Sequence, residues 1–565
     1  MFWGIAAAAA GLWVLKSMAS INKARKSLGD CPGGEILLFH PFRTLSMVVG
    51  SHFPFPGQIG TYFGKFNVYK KYGSTCLSSI VFYNAIPTFW LSDADAIKVV
   101  STDRTVFQKD VEAYETLNIY GPNLVGTEGL DWKRHRRIAN PAFNEANNAF
   151  VWSETTRFIT EWFTEIDKSQ ASSQVSNVPV DLLKDLTQLT LLIISSAGFS
   201  RRVSWNDDSS LVPPPGHTMA FQPAVASAIH HTIVKILTPD FLYSLCSKIN
   251  IPFISPVLRE TTASFEALRM HMLEVVSSAR AWILDNKGGP KDGKMDAALL
   301  RNLVEANLAE GSDYRGLTDD ELLSNTFTFL LAGHGESIAT LAGSHSVFLA
   351  LYPEIQDKIY EEAIKLWPDG VPEIADLSAY KDSMPKLEYT IATFHETLRH
   401  FPPVSRLGKP VHADTTLKAR RFTTNIQHSK SADLQEVSNV EEFVVPIPKG
   451  SIVIVDIYGL HLNPVHWGPD VTEFRPDRFI DTESYRWPRD AFLAFSSGPR
   501  SCIGQRFSTT ESACILASLV RKYEILVPGD LKSLSFEERK KVMLGCTTGI
   551  TLTPTSARVE LKKRV

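Results

Sequence analysis

Disulfide chemistry is what this chain is poorest in: six cysteines in 565 residues, no two of them in a Cys-x-x-Cys spacing. That excludes a disulfide scaffold and suits a reducing compartment. No His-Glu-x-x-His occurs either, which removes the usual zinc-enzyme signature. Charge of one sign is missing too. The net charge of −3 gives no basic surface for nucleic acid. No internal repeat and no linker divides the chain. Charge is also absent from Met1 to Leu15, and with Lys16 snorkelling the apolar run reaches about Ile21. About 20 helical residues span about 30 Å, the thickness of a bilayer core. Lys16, Lys23, Arg25 and Lys26 all lie at or beyond the end of the uncharged stretch Met1 to Leu15. This asymmetry predicts an uncleaved single-pass anchor in the endoplasmic reticulum membrane, with the rest of the chain cytosolic. A short buried helix or a cleaved leader is the alternative. The expected division is residues 1–21 as anchor, 22–59 as membrane-proximal linker and 60–565 as one folded domain. The linker carries a second apolar stretch, Ile36 to Gly57.

What is present is mostly helical periodicity, up to about His400. Thr75 to Val81 and Thr88 to Leu91, either side of Asn84-Ala-Ile-Pro87, read as a hairpin. Strand-like runs return at Phe443–Val445 and Ser451–Ile457. The fold class expected is mainly α with small β-sheets, an α+β arrangement. Thr416 to Glu442 is polar, mixed in charge and without periodicity, and reads as a mobile surface insertion over 416–442.

Phe495-Ser-Ser-Gly498-Pro-Arg500-Ser-Cys502-Ile-Gly504 places a cysteine in a glycine-bounded loop. Ile503, Phe507, Thr510, Cys514 and Ala517 recur at helical spacing, so a helix starts just after Cys502. A helix N-terminus favours the thiolate. Gly498 and Gly504 let the loop pass close to a flat ligand. Arg500 adds positive charge suited to a carboxylate. The bland alternative, a buried structural thiol, is the reading for Cys31, Cys76, Cys246, Cys514 and Cys546.

This spacing resembles the cysteine-ligand loop of the cytochrome P450 haem-thiolate enzymes. The resemblance runs from about residue 60 to the C-terminus and implies the P450 fold behind the N-terminal membrane anchor helix. It implies haem b with Cys502 as axial thiolate and metal ligand, and Phe495, Arg500 and Gly504 beside the cofactor. A thiolate on haem iron favours O–O cleavage. Glu396-Thr-Leu-Arg399, followed by Pro476-Asp-Arg478-Phe479, resembles the family's Glu-x-x-Arg helix and the arginine that closes its ion network, a structural role. Trp132 and Arg136, four apart in Trp132-Lys-Arg-His-Arg136-Arg137, imply contacts to a haem propionate, as does Arg406. Lys133, Arg134 and Arg137 read as a solvated basic face, able to help dock an acidic electron donor.

The distal helix departs from the family pattern. Thr318-Asp-Asp-Glu321 reads as a capping box, and apolar periodicity continues to about Leu351, about 50 Å of helix. Its middle is Leu331-Ala-Gly333-His-Gly335-Glu336-Ser337-Ile-Ala-Thr340. Against Ala-Gly-x-acid-Thr-Thr, Gly335 takes the acid position, Glu336 that of the oxygen-activating threonine and Ser337 the next. Glu336, with Ser337 or Thr340, is the expected catalytic proton source; a structural carboxylate bonding backbone groups is the alternative. The glycines either open the helix for oxygen or permit close packing.

The resemblance implies a monooxygenase using O2 and an apolar small molecule. No flavin- or nicotinamide-binding region is found, so electrons come from a separate partner, which the resemblance implies is NADPH-cytochrome P450 reductase. Tyr120-Gly-Pro-Asn123 and Trp132-Lys-Arg-His-Arg136 look like fungal members, which suggests secondary metabolism and terpenoids. A haem-thiolate isomerase or dehydratase that needs no O2, and a non-catalytic haem- or sterol-binding membrane protein, are the rival readings.

Overall fold

The computed structural model describes residues 2–37, 40–41, 64–173, 176–208, 212–285, 297–309, 316–334, 346–372, 378–428, 433–548 and 551–564. Their contacts group into two units: residues 1–113, 395–502 and 547–553 in the first, and 114–394, 503–546 and 554–565 in the second.

The first unit is built on a five-stranded sheet. Its strands are β1 (Gly33–Leu37), β2 (Cys76–Val81), β3 (Ile86–Leu91), β8 (Ile452–Asp456) and β5 (Arg406–Pro410), in the order β1-β2-β3-β8-β5. β2 and β3 form the antiparallel hairpin expected, with Cys76 opposite Leu91. β8 is buried at every position, as the apolar run Ile452–Val455 requires, and Asp456 at its end is buried with it. α1 (Phe2–Ser27) precedes the sheet and runs six residues past the expected anchor end. Ile21, Ala24 and Leu28 lie at helical spacing and are buried. α2 (Ala94–Thr102) starts at Asp93, whose carboxylate accepts from the Asp95 and Ala96 N–H groups.

The expected surface insertion takes the form of a hairpin. β6 (Thr415–His428) and β7 (Asp433–Ile447) pair antiparallel along their whole length. Its base is bonded to the sheet's approach: Thr75 N–H donates to Arg420 O at 2.9 Å and Phe422 N–H to Gly73 O at 2.9 Å. Arg420 also ion-pairs with Asp93 at 2.8 Å. Backbone bonding and these charges give strand structure to a segment whose composition showed no periodicity.

The second unit is helical. Its main helices are α3 (Gly129–Ala139), α4 (Glu145–Ser173), α5 (Leu182–Phe199), α6 (Phe221–His230), α7 (Ile254–Asp285), α8 (Ala298–Leu308) and α9 (Asp319–His334). α10 (Glu388–His400) runs from the second unit into the first, and α11 (Gln505–Lys522) begins three residues after Cys502. α4 packs on α5 and α11, and α5 on α9. A three-stranded sheet closes the unit: β4 (Asn177–Asp181), β12 (Arg558–Lys563) and β9 (Tyr523–Leu526), antiparallel with β12 central. α5 is long and apolar enough to cross a membrane, but it is 78% buried, as a core helix is. The expected long distal helix is described at its two ends, α9 and the helical residues 346–351. Glu336, Ser337 and Thr340 lie outside the described residues.

Candidate functional site

In the first unit the cysteine loop is held by its own backbone. Cys502 N–H donates to Phe495 O at 2.8 Å, Ser501 N–H to Gly498 O at 3.0 Å, and Ser496 N–H to Leu493 O at 2.9 Å. The loop is anchored below by the buried His461, whose Nε2 accepts from Leu493 N–H at 2.8 Å. Gly498 has φ +71°, and a Cβ there would sit 2.6 Å from the Ser101 carbonyl oxygen of α2. That position therefore needs glycine twice over. Gly504, the N-cap of α11, has φ −90°, which any residue adopts. Cys31, Cys76, Cys246 and Cys514 are buried and Cys546 is half-buried, whereas Cys502 is exposed.

Behind the loop lies the ion network expected from Glu396, Arg399 and Arg478. Glu396 receives Arg399 Nε at 2.7 Å and its second guanidinium nitrogen at 2.8 Å. Arg478 Nε is 3.7 Å from the same carboxylate and pairs with Asp470 at 2.7 Å. Arg399 also donates to the carbonyls of His461 and Val471 at 2.9 and 2.8 Å. All three side chains are buried. Burial acts to raise the pKa of Glu396, but Arg399 overrides it and holds it at about 2.

Arg406 opens β5 opposite Asp456 on β8. Burial draws its pKa down and the Asp456 charge pushes back. Among the described residues its guanidinium makes no hydrogen bond. Asp456 accepts from Tyr69 Oη at 2.9 Å and from Gly459 N–H at 2.8 Å, and burial raises its pKa to about 6 against these bonds. This Arg406–Asp456–Tyr69 group was not read from sequence. The three come from separate strands and helices, and no spacing signals them.

In the second unit Trp132 is buried on α3 and Arg136, one turn on, is half-buried. Lys133 and Arg137 are exposed, as expected of a solvated face. Arg134 is not. Its guanidinium grips Glu321 with two bonds, 2.7 and 2.5 Å, and donates to Gly316 O at 2.7 Å. Glu321 is the capping-box acid, and the box forms: Thr318 N–H donates to Glu321 at 3.0 Å and Glu321 N–H to Thr318 Oγ1 at 3.2 Å. Burial raises the pKa of Glu321, and the Arg134 bonds override it to about 2. Asn325, one turn further, donates to His135 Nδ1 at 2.8 Å and accepts from Leu124 N–H at 3.0 Å. Ser324 Oγ donates to Gly121 O at 2.6 Å. The two segments Tyr120–Asn123 and Trp132–Arg136 are thus strapped to the first turns of α9.

Residues 321–327, 329 and 330 of α9 are buried, whereas Thr328 and Leu331 are half-buried and Ala332 is exposed. The helix therefore keeps one open stripe on an otherwise buried body. Gly333 meets α5: a Cβ there would lie 2.6 Å from Ile194 Cγ1. For Gly333 the close-packing reading holds. His334, beside it, is fully buried, and burial lowers its pKa to about 4, leaving it neutral.

Haem is the group the resemblance implies, and the residues present fit it. The first unit offers an exposed thiol in a loop kept thin by Gly498, and a desolvated guanidinium with no side-chain hydrogen bond among the described residues. The second offers an open stripe on an otherwise buried helix, and an arginine one turn from a buried tryptophan.

The family model for cytochrome P450 matches residues 41–429 and 420–552. A curated protein of Postia placenta, cytochrome P450 monooxygenase 124, is 33% identical over 558 residues, covering 98% of each chain. Cytochrome P450 monooxygenase ORF6 of Penicillium roqueforti is 26% identical over 504 residues, 84% of this chain and 80% of its own. Among solved structures, the haem domain of cytochrome P450DA matches with a TM-score of 0.66 over 95% of this chain and 98% of its own. Its 21% identity makes this a likeness of fold.

Proposed function

The chain belongs to the cytochrome P450 family and is an oxidoreductase of its monooxygenase kind, and on that premise we propose that it oxidises an apolar small molecule of fungal secondary metabolism, terpenoids being the class favoured. The family works with haem, dioxygen, an organic substrate and a redox partner. The partner proposed is NADPH-cytochrome P450 reductase, a reading supported by the resemblance and by the lack of a recognisable nicotinamide- or flavin-binding motif in the sequence given. α1 is proposed as the anchor in the endoplasmic reticulum membrane. Its length, 26 residues, and the basic residues Arg25 and Lys26 in its last turn support that reading.

The observation that carries the proposal is the exposed Cys502 thiol, in a loop whose backbone bond to Phe495 and close approach at Gly498 leave it on the surface of its unit. Bound haem supplies the oxygen chemistry. The chain's own part is to hold it and to manage charge and protons. Cys502 is the proposed iron ligand, with Phe495, Arg500 and Gly504 framing it, Trp132 and Arg136 reaching a propionate, and the Arg136 and Arg406 charges offsetting the propionates. Glu336, with Ser337 or Thr340, is proposed to deliver protons.

The test is the spectrum of the reduced protein under carbon monoxide. A thiolate-type Soret band that disappears in Cys502→Ala supports the ligand; a band unchanged by that substitution overturns it. Reductase-dependent NADPH consumption on adding substrate supports the monooxygenase, whereas turnover without NADPH replaces it by an isomerase or dehydratase. Glu336→Gln is expected to lower product formed per NADPH, and unchanged coupling removes Glu336 from the mechanism.

A further inference from the structure

Away from every residue used so far, the second unit brings two histidines and a glutamate together. His217 follows Pro213-Pro-Pro-Gly216 in a turn closed by His217 N–H to Pro214 O at 3.0 Å. His271 and Glu274 lie three apart on α7, hence on one face. One ring nitrogen of each histidine and a Glu274 carboxylate oxygen all lie within 4.8 Å of one another.

The protonation pattern leaves ligand nitrogens unused. His271 Nε2 lies 2.9 Å from the Met219 carbonyl, which only accepts, so Nε2 carries the hydrogen. In the neutral ring its Nδ1 then holds the lone pair. A backbone carbonyl bonded to the far nitrogen is the usual orienting partner of a metal-binding histidine. His217 Nε2 is 3.1 Å from Glu274. If it donates there, His217 Nδ1 has no donor; if the ring is protonated, Nδ1–H has no acceptor. In both states that atom is buried without a hydrogen-bond partner, on a side chain only 9% exposed. A plain hydrogen-bonded histidine stack therefore leaves one buried polar atom unexplained.

We propose that His217, His271 and Glu274 form a divalent-cation site, suited to zinc, that fastens the proline-rich turn to α7. Two imidazoles and one carboxylate, with water completing a tetrahedron, are a donor set zinc accepts. The histidine rings lie stacked, with centroids 3.9 Å apart and planes 14° apart. A cation cannot lie in the planes of two parallel rings at once, so binding turns one of them. His217 is the one that turns, since His271 is fixed by its helix and its Met219 bond. Zinc bonds of about 2.1 Å set tetrahedral donors about 3.4 Å apart. Arg201, held over the Phe221 ring at 4.0 Å, is the opposing positive charge near His271. Glu274 supplies the negative charge that offsets it.

The site has a place to act. His271 and Glu274 also line a cavity of about 460 Å³ whose wall includes Phe150, Phe199, Arg201 and Trp282. A cation there pins the turn before α6 against α7 beside the mouth of that cavity.

The experiment is calorimetric titration of zinc chloride into the chelator-treated, haem-loaded full-length protein, in which the haem sulfur is already engaged. One zinc per chain with micromolar affinity is expected. His217→Ala, a change in a turn outside any helix, and Glu274→Gln, a change at an exposed side chain, are each expected to weaken it at least tenfold. X-ray absorption at the zinc edge is expected to show only nitrogen and oxygen neighbours. No saturable binding, binding undiminished in both variants, or a sulfur shell would overturn the proposal. The assignment is independent of the monooxygenase reading, and its failure leaves that reading untouched.

Discussion

Two buried glutamates in this chain respond to acid in opposite senses, and their surroundings say why. Glu396 is held at about pH 2 by Arg399, below its unfolded value near 4.5. Its contribution, about 3 kcal/mol, is complete above about pH 4.5 and is lost as pH falls through about 2. Glu396→Gln leaves Arg399 and Arg478 short of a counter-charge and is expected to cost about 3–5 kcal/mol at pH 7 in urea unfolding. Glu511 on α11 is the reverse. It is fully buried, neither carboxylate oxygen finds a hydrogen bond, and burial raises its pKa well above normal. The folded state keeps that proton while the unfolded state loses it above about pH 4.5, so this group makes stability fall as pH rises. Glu511→Gln is expected to gain stability relative to the parent between pH 5 and pH 8; a parallel pair of pH profiles would contradict this. Glu396 was legible because a motif surrounds it. Glu511 was not, because an acid in a helical run reads as a solvated face unless one knows that 507–520 are buried on all sides.

At the level of elements, the hairpin β6–β7 shows how a pattern hides. Leu417, Ala419 and Phe422 are buried, as are Val445 and Ile447 opposite. Strict alternation would have revealed that face, but the register shifts between Arg421 and Thr423, and the bulge moves the next apolar residue by one. Lys418–Glu442, at 2.7 Å, is a cross-strand pair that composition displays only as mixed charge. The α9 capping box was readable because it is local, whereas the Arg134–Glu321 grip joins residues 187 positions apart. Gly333 provides an element-scale test. Glycine to alanine in a helix normally gains about 1 kcal/mol, yet here the added methyl meets Ile194. Gly333→Ala is expected to lose about 1–3 kcal/mol, and Gly333→Ala combined with Ile194→Ala is expected to lose less than the two changes summed. Thermal melts of the four proteins decide it.

For the whole molecule, the motif order Trp132…Arg136, Glu396…Arg399, Arg478, Cys502 carried the family, because each motif is short and keeps its own spacing. What sequence could not place were groups assembled from distant segments, Asp456 with Tyr69 and His217 with His271 among them. The N-terminal helix joins both kinds of information. Its apolar run was visible, but its continuation to Ser27, with Ile21, Ala24 and Leu28 buried, was not. Removing residues 2–14 is expected to move the protein from the membrane to the soluble fraction with its carbon-monoxide spectrum intact. Removing residues 2–28 is expected to lower the melting temperature as well, because the buried residues go with it. Fractionation and a melt of each truncation separate anchoring from folding.

The carbonyl of Ser101, pressed against position 498, has a practical meaning for anyone diversifying this enzyme. A library randomised across the cysteine loop is expected to return glycine at 498 in every pigmented colony, while 504, whose backbone imposes no such bar, accepts wider replacement. The sulfur's placement is thus inherited from a helix some four hundred residues earlier in the chain, and new chemistry is better sought by varying the walls than the mount.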